Sequence, residues 1–220
     1  MYTLYGFKGS GSAAVECALE LTGTQFRIVE TASWENNDAL AELERVNPLK
    51  QIPTLQLPDG TILSESAAIL MHLGLSFPNS GLLSDEPNPR DLALRGLVYI
   101  AANCYACITV IDYPERFTTL ADEASLAAVR AGATDRLHRH WEIFADLYPV
   151  EGERFIAGDQ PGALDLLAAV VSKWSGARRH LKTARPAFLA LLERIESHPA
   201  VAFVLGRHWP TLAQMPTALQ

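Results

Sequence analysis

The stretch that decides the fold of this chain is Asn47-Pro48-Leu49-Lys50-Gln51-Ile52-Pro53-Thr54-Leu55. Pro53 stands at the first residue of a predicted strand, a place where a missing N–H group is tolerated. Considered alone, this position is typical of an ordinary trans proline. A cis bond between Ile52 and Pro53 would instead turn the N–H and C=O groups of Ile52 outward, towards an extended peptide ligand. The stretch therefore indicates either a plain strand start or the edge of a peptide-binding site.

Short apolar runs alternate with helical patterns on both sides of this stretch, over residues 1–77. Strands are predicted at Tyr2–Gly6, Phe26–Glu30, 52–57 and 61–63. The last two form a hairpin, because Pro58-Asp59-Gly60 between them has the residue types of a type I turn. Helices are predicted at 13–21, 38–46 and 64–75. The order β-α-β-α-β-β-α indicates a small α/β domain.

The composition changes after residue 77. Residues 78–89 are rich in proline and asparagine, which is typical of a linker. Beyond the linker, apolar residues recur at helical spacing in four segments, 91–111, 123–147, 163–174 and 186–205, and no convincing strand is found. We therefore predict an α/β domain over residues 1–77, a linker over 78–89 and an all-helical domain over 90–220.

The composition also excludes several classes of protein. Apolar residues make up 49% of the chain and charged residues 20%, which excludes intrinsic disorder. The net charge of -7 argues against a nucleic-acid-binding protein, because such proteins need clustered positive charge. The longest uncharged stretch, 96–111, is shorter than the roughly 20 apolar residues that cross a bilayer, and the N-terminus lacks a signal-peptide pattern. We expect a soluble protein that binds neither nucleic acid nor membrane.

The cysteine and histidine residues predict no metal site. The 3 cysteines are too few for a disulfide framework, so we expect a reducing cytoplasm. Cys104 and Cys107 lie mid-helix in an apolar stretch, which favours buried structural cysteines over a redox or metal pair. His138 and His140 are two residues apart and face different sides of a helix.

Two further motifs stand at predicted helix starts. In Ser64-Glu65-Ser66, free N–H groups and the Ser66 hydroxyl suit a carboxylate, and Glu65 suits an ammonium group. Together they would hold the zwitterionic end of an amino acid, although such residues also serve as plain caps. In Gly9-Ser10-Gly11-Ser12, the hydroxyls either cap the first helix or donate to a thiolate.

The three motifs, in this order within one α/β domain, resemble those of the glutathione S-transferase superfamily. The matching residues are Asn47-Pro48 with Gln51-Ile52-Pro53, then Glu65-Ser66, then Phe155-Ile156-Ala157-Gly158-Asp159 before Leu164-Asp165-Leu166. The resemblance covers essentially the whole chain. It implies a thioredoxin-like N-terminal domain, an all-helical C-terminal domain and a cis bond between Ile52 and Pro53. It also implies that Asp165 is a buried capping acid with half of a capping box, since Gly162 offers no side-chain oxygen.

The resemblance implies a site for glutathione, which would act as a co-substrate with no metal ion. The backbone of Ile52, before Pro53, would pair with the cysteinyl part of the peptide. Glu65 and Ser66 would hold its γ-glutamyl end. Gln51 and Lys50 lie where the family reaches the glycyl carboxylate, and Lys50 replaces the usual glycine.

The residue that activates the thiol stays open between two serines. Members of the cysteine type carry their cysteine at the place of Gly11, and members of the serine type place serine at or beside it. Ser10 is therefore the first candidate and Ser12 the second. Tyr5 is near the place of the tyrosine of a third type, but it lies in the body of the strand, where we expect it to be packed.

The resemblance implies that a hydrophobic electrophile binds between the domains, against the helix that holds Tyr99, Asn103 and Tyr105. We predict a cytoplasmic, homodimeric glutathione transferase whose interface and core both draw on apolar residues such as Ile69, Leu70 and Leu73. The alternatives are a glutathione-dependent isomerase or reductase and a non-catalytic glutathione-binding scaffold.

Overall fold

A four-stranded mixed sheet forms the centre of the N-terminal domain in the computed structural model, which describes residues 1–35, 38–149, 152 and 154–210. The strands are β1 Tyr2–Gly6, β2 Phe26–Glu30, β3 Thr54–Gln56 and β4 Ile62–Leu63, in the order β2-β1-β3-β4. β1 is parallel to β2 and antiparallel to β3, and β3 is antiparallel to β4. All residues of β1 are buried, because it is an inner strand with α1 packed on it.

Three helices complete this domain: α1 Ser12–Thr22, α2 Asp38–Val46 and α3 Ser66–Ser76. α1 ends before Gly23, whose φ of 65° lets its N–H group close the last turn on the carbonyl of Glu20. α1 packs on β1 and α3, and on the other side it contacts two helices of the C-terminal domain. The loop that leads into α1 is therefore fixed by both domains.

The C-terminal domain is helical in the described residues. A short 3-10 turn, Pro78–Ser80, precedes it, and a second one, Pro114–Arg116, lies within it. Its segments are α4 Pro87–Tyr99, a π-helical turn Ile100–Tyr105, α5 Ala106–Asp112, α6 Glu123–Leu147, α7 Ala163–Val171, α8 Ala177–Ala184, α9 Pro186–Ser197 and α10 Pro199–His208. α7 is buried over its whole length and packs against α1, α3, α4 and α9.

The α/β domain followed by a helical domain confirms the predicted fold class. Two predictions in the helical part are wrong in detail. The segment predicted as one helix over 186–205 is two helices, because Pro199 lacks the N–H group that would continue α9 and instead starts α10. α8 was not predicted, because only Ala177 and Leu181 mark its buried face.

α4, the π-helical turn and α5 run on as one helix, Pro87–Asp112, which is longer than the apolar stretch seen in the sequence. By length and composition it is the one helix in the described residues that reaches the size needed to cross a membrane. It packs against α6 and α7 and contributes Leu97, Ile100 and Cys104 to the core. Core helices of globular proteins have the same apolar composition.

Asp165 ties the loop before α7 to the helix. Its buried carboxylate accepts hydrogen bonds from the N–H groups of Ile156 (2.8 Å), Ala157 (3.0 Å) and Gly162 (3.0 Å). The bond from the Gly162 N–H group is the half of the capping box that the sequence predicts. The reciprocal bond cannot form, because Gly162 has no side-chain oxygen. Asp165 thus has a structural role.

Candidate active site

The loop between α2 and β3 is organised by one buried side chain, that of Asn47. Its Nδ2 group donates to Thr54 Oγ1 (2.9 Å) and to the carbonyl of Gln51 (3.2 Å), and its Oδ1 atom accepts from the N–H of Leu49 (3.1 Å). The bond between Ile52 and Pro53 is cis, which confirms the prediction. The motif residue Asn47 therefore shapes the loop instead of facing a ligand.

Lys50 and Gln51 lie on the outer side of this loop. The Lys50 ammonium group pairs with Glu44 at 2.8 Å, and both side chains are largely exposed. Gln51 is exposed, and Ile52 beside it is half-buried. The side chains of Lys50 and Gln51 thus remain accessible to a ligand that lies along the loop.

The start of α3 is strained at Glu65. This residue has a φ of 64° and a ψ of 110°, a backbone conformation that costs a residue other than glycine about 1–3 kcal/mol and that is concentrated at binding sites. The Glu65 side chain is exposed and makes no capping hydrogen bond, while Ser66 is buried. The interpretation of Glu65 as an ordinary helix cap therefore does not fit. The first N–H groups of α3 and the Ser66 hydroxyl are donors of the kind that helix starts offer to an anion.

We call the segment 9–12, before α1, the thiol loop. The Ser10 hydroxyl donates to the carbonyl of Phe7 (2.7 Å) and shares a hydrogen bond with the Ser12 hydroxyl (2.8 Å). Ser12 Oγ in turn accepts from the N–H of Phe7 (3.2 Å). Both serines are buried, and their hydroxyls close the loop on itself. Their role as thiol activators stays a prediction, and it would require these bonds to rearrange.

The thiol loop is also held from behind by the last helix, α10. The N–H of Gly9 donates to His208 Nδ1 (3.2 Å), and His208 Nε2 lies 2.8 Å from a carboxylate oxygen of Glu16 on α1. Because Nδ1 accepts, the imidazole is the neutral form that carries its proton on Nε2 and donates to Glu16. Arg207 contacts the other oxygen of Glu16. No local sequence pattern links residues that lie so far apart in the chain.

Tyr105 reaches the thiol loop from the C-terminal domain. A Cβ atom placed on Gly11 would overlap the Tyr105 hydroxyl, so this glycine is needed for the close approach. The same point lies 3.8 Å from Cδ of Pro53. The Ser66 side chain lies beside the hydroxyl, and burial raises the pKa of Tyr105 above its usual 10.0. The Tyr105 hydroxyl therefore stands where the three sequence motifs meet.

Two tryptophans extend this surface. The ring of Trp174 lies 5.9 Å from that of Tyr105, and the ring of Trp209 lies 6.5 Å from that of Trp174. We call Tyr105, Trp174 and Trp209 the aromatic wall; all three are partly exposed. Trp209 approaches the Cβ position of Gly9 to 3.6 Å, so the wall borders the thiol loop. The sequence interpretation missed both tryptophans.

Tyr99 and Asn103 do not share this place with Tyr105. The Tyr99 hydroxyl donates to the carbonyl of His140 on α6 (3.1 Å), and Asn103 Nδ2 donates to the carbonyl of Tyr99 (3.1 Å). Asn103 lines a cavity of about 400 Å³ between α5 and α6, together with Arg136 and His140. The structure thus places these two residues on the side of the helix that faces α6.

Tyr5 and the three cysteines lie in the core and do not contribute to the site. The Tyr5 hydroxyl donates to Glu42 on α2 (2.9 Å), so this residue is packed as predicted. Cys17, Cys104 and Cys107 are free and buried, and burial raises the pKa of each thiol. Within residues 1–35, 38–149, 152 and 154–210, no group of three metal-ligating side chains is found.

Comparisons with known proteins point in one direction. The sequence profile described as "Glutathione S-transferase, N-terminal domain" matches residues 1–74. The glutathione S-transferase GstA of Escherichia coli O157:H7 is 30% identical over 156 residues, which cover 69% of this chain and 74% of that protein. The uncharacterized GST-like protein YncG of Escherichia coli (strain K12) is 35% identical over 124 residues, 56% of this chain and 60% of its own length.

A solved structure has the same fold. The glutathione transferase homologue from Sulfitobacter, crystallised with bound glutathione, superposes with a TM-score of 0.78 at 20% identity. The match covers 93% of this chain and 96% of that chain. Both domains of the fold are therefore shared with that protein.

Proposed function

Because this chain belongs to the glutathione S-transferase family, we propose that it is a glutathione transferase that activates the thiol of glutathione for attack on a hydrophobic electrophile. The observation that carries the proposal is the convergence of three segments on one point. The cis-proline loop at Pro53, the start of α3 at Ser66 and the thiol loop at Gly11 all border the Tyr105 hydroxyl. The solved relative with bound glutathione supports the choice of ligand.

Each segment would hold one part of the peptide. The backbone of Ile52 would pair with the cysteinyl residue. Ser66 and the α3 N–H groups would bind the α-carboxylate of the γ-glutamyl end, and the exposed carboxylate of Glu65 would bind its ammonium group. Lys50 and Gln51 would meet the glycyl carboxylate. In this arrangement the sulfur points to the thiol loop.

The chemistry needs a thiolate at neutral pH. A free cysteine thiol has a pKa of about 8.5, so only a few per cent is ionised at pH 7. Hydrogen bonds from the site and the partial positive charge at the start of α1 would lower the pKa of the bound thiol. The thiol proton passes to water, the sulfur forms a bond to an electrophilic carbon, and the leaving group departs with its electron pair.

The aromatic wall is the proposed surface for the electrophile. Its rings lie beside the thiol loop and are partly exposed, which suits a flat apolar molecule. Lys173 lies 4.8 Å above the ring of Trp209 and forms an ion pair with Glu196 at the outer end of the wall. An electrophile with a flat, electron-poor ring fits this surface best.

We further propose a homodimer in a reducing cytoplasm. Ile69, Leu70 and Leu73 are fully buried in the core of the chain, so they are not available to an interface. Leu75 and Val98, on α3 and α4, are more than half exposed and supply apolar surface that a partner would cover. Light scattering that gives 24 kDa at micromolar concentration would contradict the dimer.

The experiment that tests the function is glutathione binding by calorimetry, followed by turnover with a panel of electrophiles. Glu65→Ala should weaken binding by about 1.5–3 kcal/mol, the range for a hydrogen bond to a charged group. Glu193→Ala, which removes an exposed glutamate of α9, is the matched control and should leave affinity unchanged. Equal affinity of wild type and Glu65→Ala would show that the γ-glutamyl end is held elsewhere. Binding without turnover of any electrophile would favour the scaffold alternative.

A further inference from the structure

We propose that Tyr105 of the C-terminal domain donates the hydrogen bond that stabilises the glutathione thiolate. This inference rests on the proposed function and assigns a residue to its central step. Ser10 and Ser12, the candidates from sequence, have hydroxyls that are bonded within the thiol loop, whereas the Tyr105 hydroxyl enters the site from outside it.

The position of the Tyr105 hydroxyl matches the place expected for the sulfur's partner. With the cysteinyl backbone along Ile52 and the γ-glutamyl carboxylate at Ser66, the cysteinyl side chain is directed towards Gly11. The space that a side chain of residue 11 would fill is occupied by the Tyr105 hydroxyl, close to the Pro53 ring. A sulfur placed between these three segments therefore lies next to the phenol.

The protonation state of Tyr105 suits a donor. Burial raises the pKa of the phenol; the neighbouring Ser66 side chain lowers it, and the negative charge of Glu65, just before α3, raises it further. The cation of the aromatic wall, Lys173, lies against Trp209 and is paired with Glu196. The phenol thus keeps its proton at neutral pH, donates a hydrogen bond to the thiolate, and does not act as a base.

Ser66 couples ligand binding to this step. In the structure its side chain lies near the Tyr105 hydroxyl, close enough to affect the pKa of the phenol. A carboxylate bound at the start of α3 would take the Ser66 hydrogen bond, and the Tyr105 hydroxyl would then be left to turn to the sulfur. Binding of the γ-glutamyl end would in this way release the donor for the thiol.

Substitution of Gly11 is a second, independent test of the position of the Tyr105 hydroxyl. Gly11→Ala places a Cβ atom where the Tyr105 hydroxyl lies, so the hydroxyl must move away. If Tyr105 is the donor, Gly11→Ala and Tyr105→Phe remove the same interaction. The double variant should then lose little more activity than either single variant, which is the signature of coupled residues.

The experiment measures the pKa of glutathione bound to the full-length protein, from the ultraviolet absorbance of the thiolate, together with affinity by calorimetry. For Tyr105→Phe we expect a thiol pKa about one pH unit higher, kcat about 10- to 100-fold lower and a Kd within about twofold of wild type. Tyr113→Phe removes the hydroxyl of an exposed tyrosine after α5 and is the control that should change none of these. Urea unfolding of each variant checks that the fold is intact.

Each other outcome has a distinct meaning. A Tyr105→Phe variant with an unchanged thiol pKa overturns the inference, most directly if Ser10→Ala or Ser12→Ala shifts that pKa instead. A Tyr105→Phe variant that binds glutathione more tightly, with unchanged turnover, shows that the hydroxyl only obstructs the site and also overturns it. A wild-type protein that does not bind glutathione refutes the proposed function itself, and this inference with it.

Discussion

His208 joins the thiol loop to the C-terminal domain, and its replacement tests how the loop is held. His208→Ala removes the acceptor for the N–H of Gly9 and the donor to the carboxylate of Glu16. Both His208 and Glu16 are buried, so water does not simply replace the lost bonds. We therefore expect a loss of stability and, because the loop borders the site, a loss of turnover.

The magnitude follows from the two bonds. The bond from Gly9 at 3.2 Å is a neutral one and contributes about 1 kcal/mol. The bond to Glu16 at 2.8 Å involves a charged acceptor and contributes about 1.5–3 kcal/mol. Arg207, which is partly exposed, still neutralises part of the Glu16 charge. His208→Ala should therefore lower the free energy of unfolding by about 2–4 kcal/mol.

The assay is urea unfolding followed by both fluorescence and circular dichroism. Two conservative variants separate the bonds, since asparagine places an acceptor near Nδ1 and glutamine places a donor near Nε2. His208→Asn should lose mainly the Glu16 bond, and His208→Gln mainly the Gly9 bond, so asparagine should be the more damaging of the two for stability. A His208→Ala variant within about 0.5 kcal/mol of wild type would refute the reasoning.

Two further predictions concern stability. Arg178 donates to both oxygens of Glu196 at 2.8 and 2.9 Å, so Arg178→Ala should lower the free energy of unfolding in urea by about 2–4 kcal/mol. The exposed control Arg179→Ala should lower it by less than about 0.5 kcal/mol, and equal effects of the two substitutions would contradict the prediction. Burial raises the pKa of Asp165 from 3.8 to about 6, so its contribution to the free energy of unfolding is fully present below pH 3.8 and is lost as the pH rises through 6. Relative to Asp165→Asn, the wild type should therefore gain about 2.5 kcal/mol between neutral pH and pH 4, and the opposite trend would show that the three N–H donors outweigh burial.

The N-terminal domain was predictable because its signals are local. β1 is a largely apolar run that is buried throughout, and Gly23 and the hairpin turn mark their elements by residue type. The ends of the helices in the C-terminal domain were harder to predict from the sequence. Pro199 stands within one apolar pattern that spans two helices, and α8 is mostly polar.

The sequence predicted the site residues only where they belong to one local motif. Trp209 and His208 reach the thiol loop because α10 packs on α1, and no local pattern records that packing. The grouping of Asn103 with Tyr105 could have been avoided from spacing alone. At 3.6 residues per turn, two positions apart means about 200° around the helix, so these residues face different neighbours.

The measurement that tests the account most directly is steady-state conjugation of glutathione to a chloronitrobenzene, followed by chloride release and by the thiolate absorbance of the bound peptide. The account predicts turnover that saturates with glutathione, a bound-thiol pKa below that of free glutathione, and a rise in this pKa in Tyr105→Phe. A protein that binds glutathione with an unshifted thiol pKa and releases no chloride above the uncatalysed rate would contradict it.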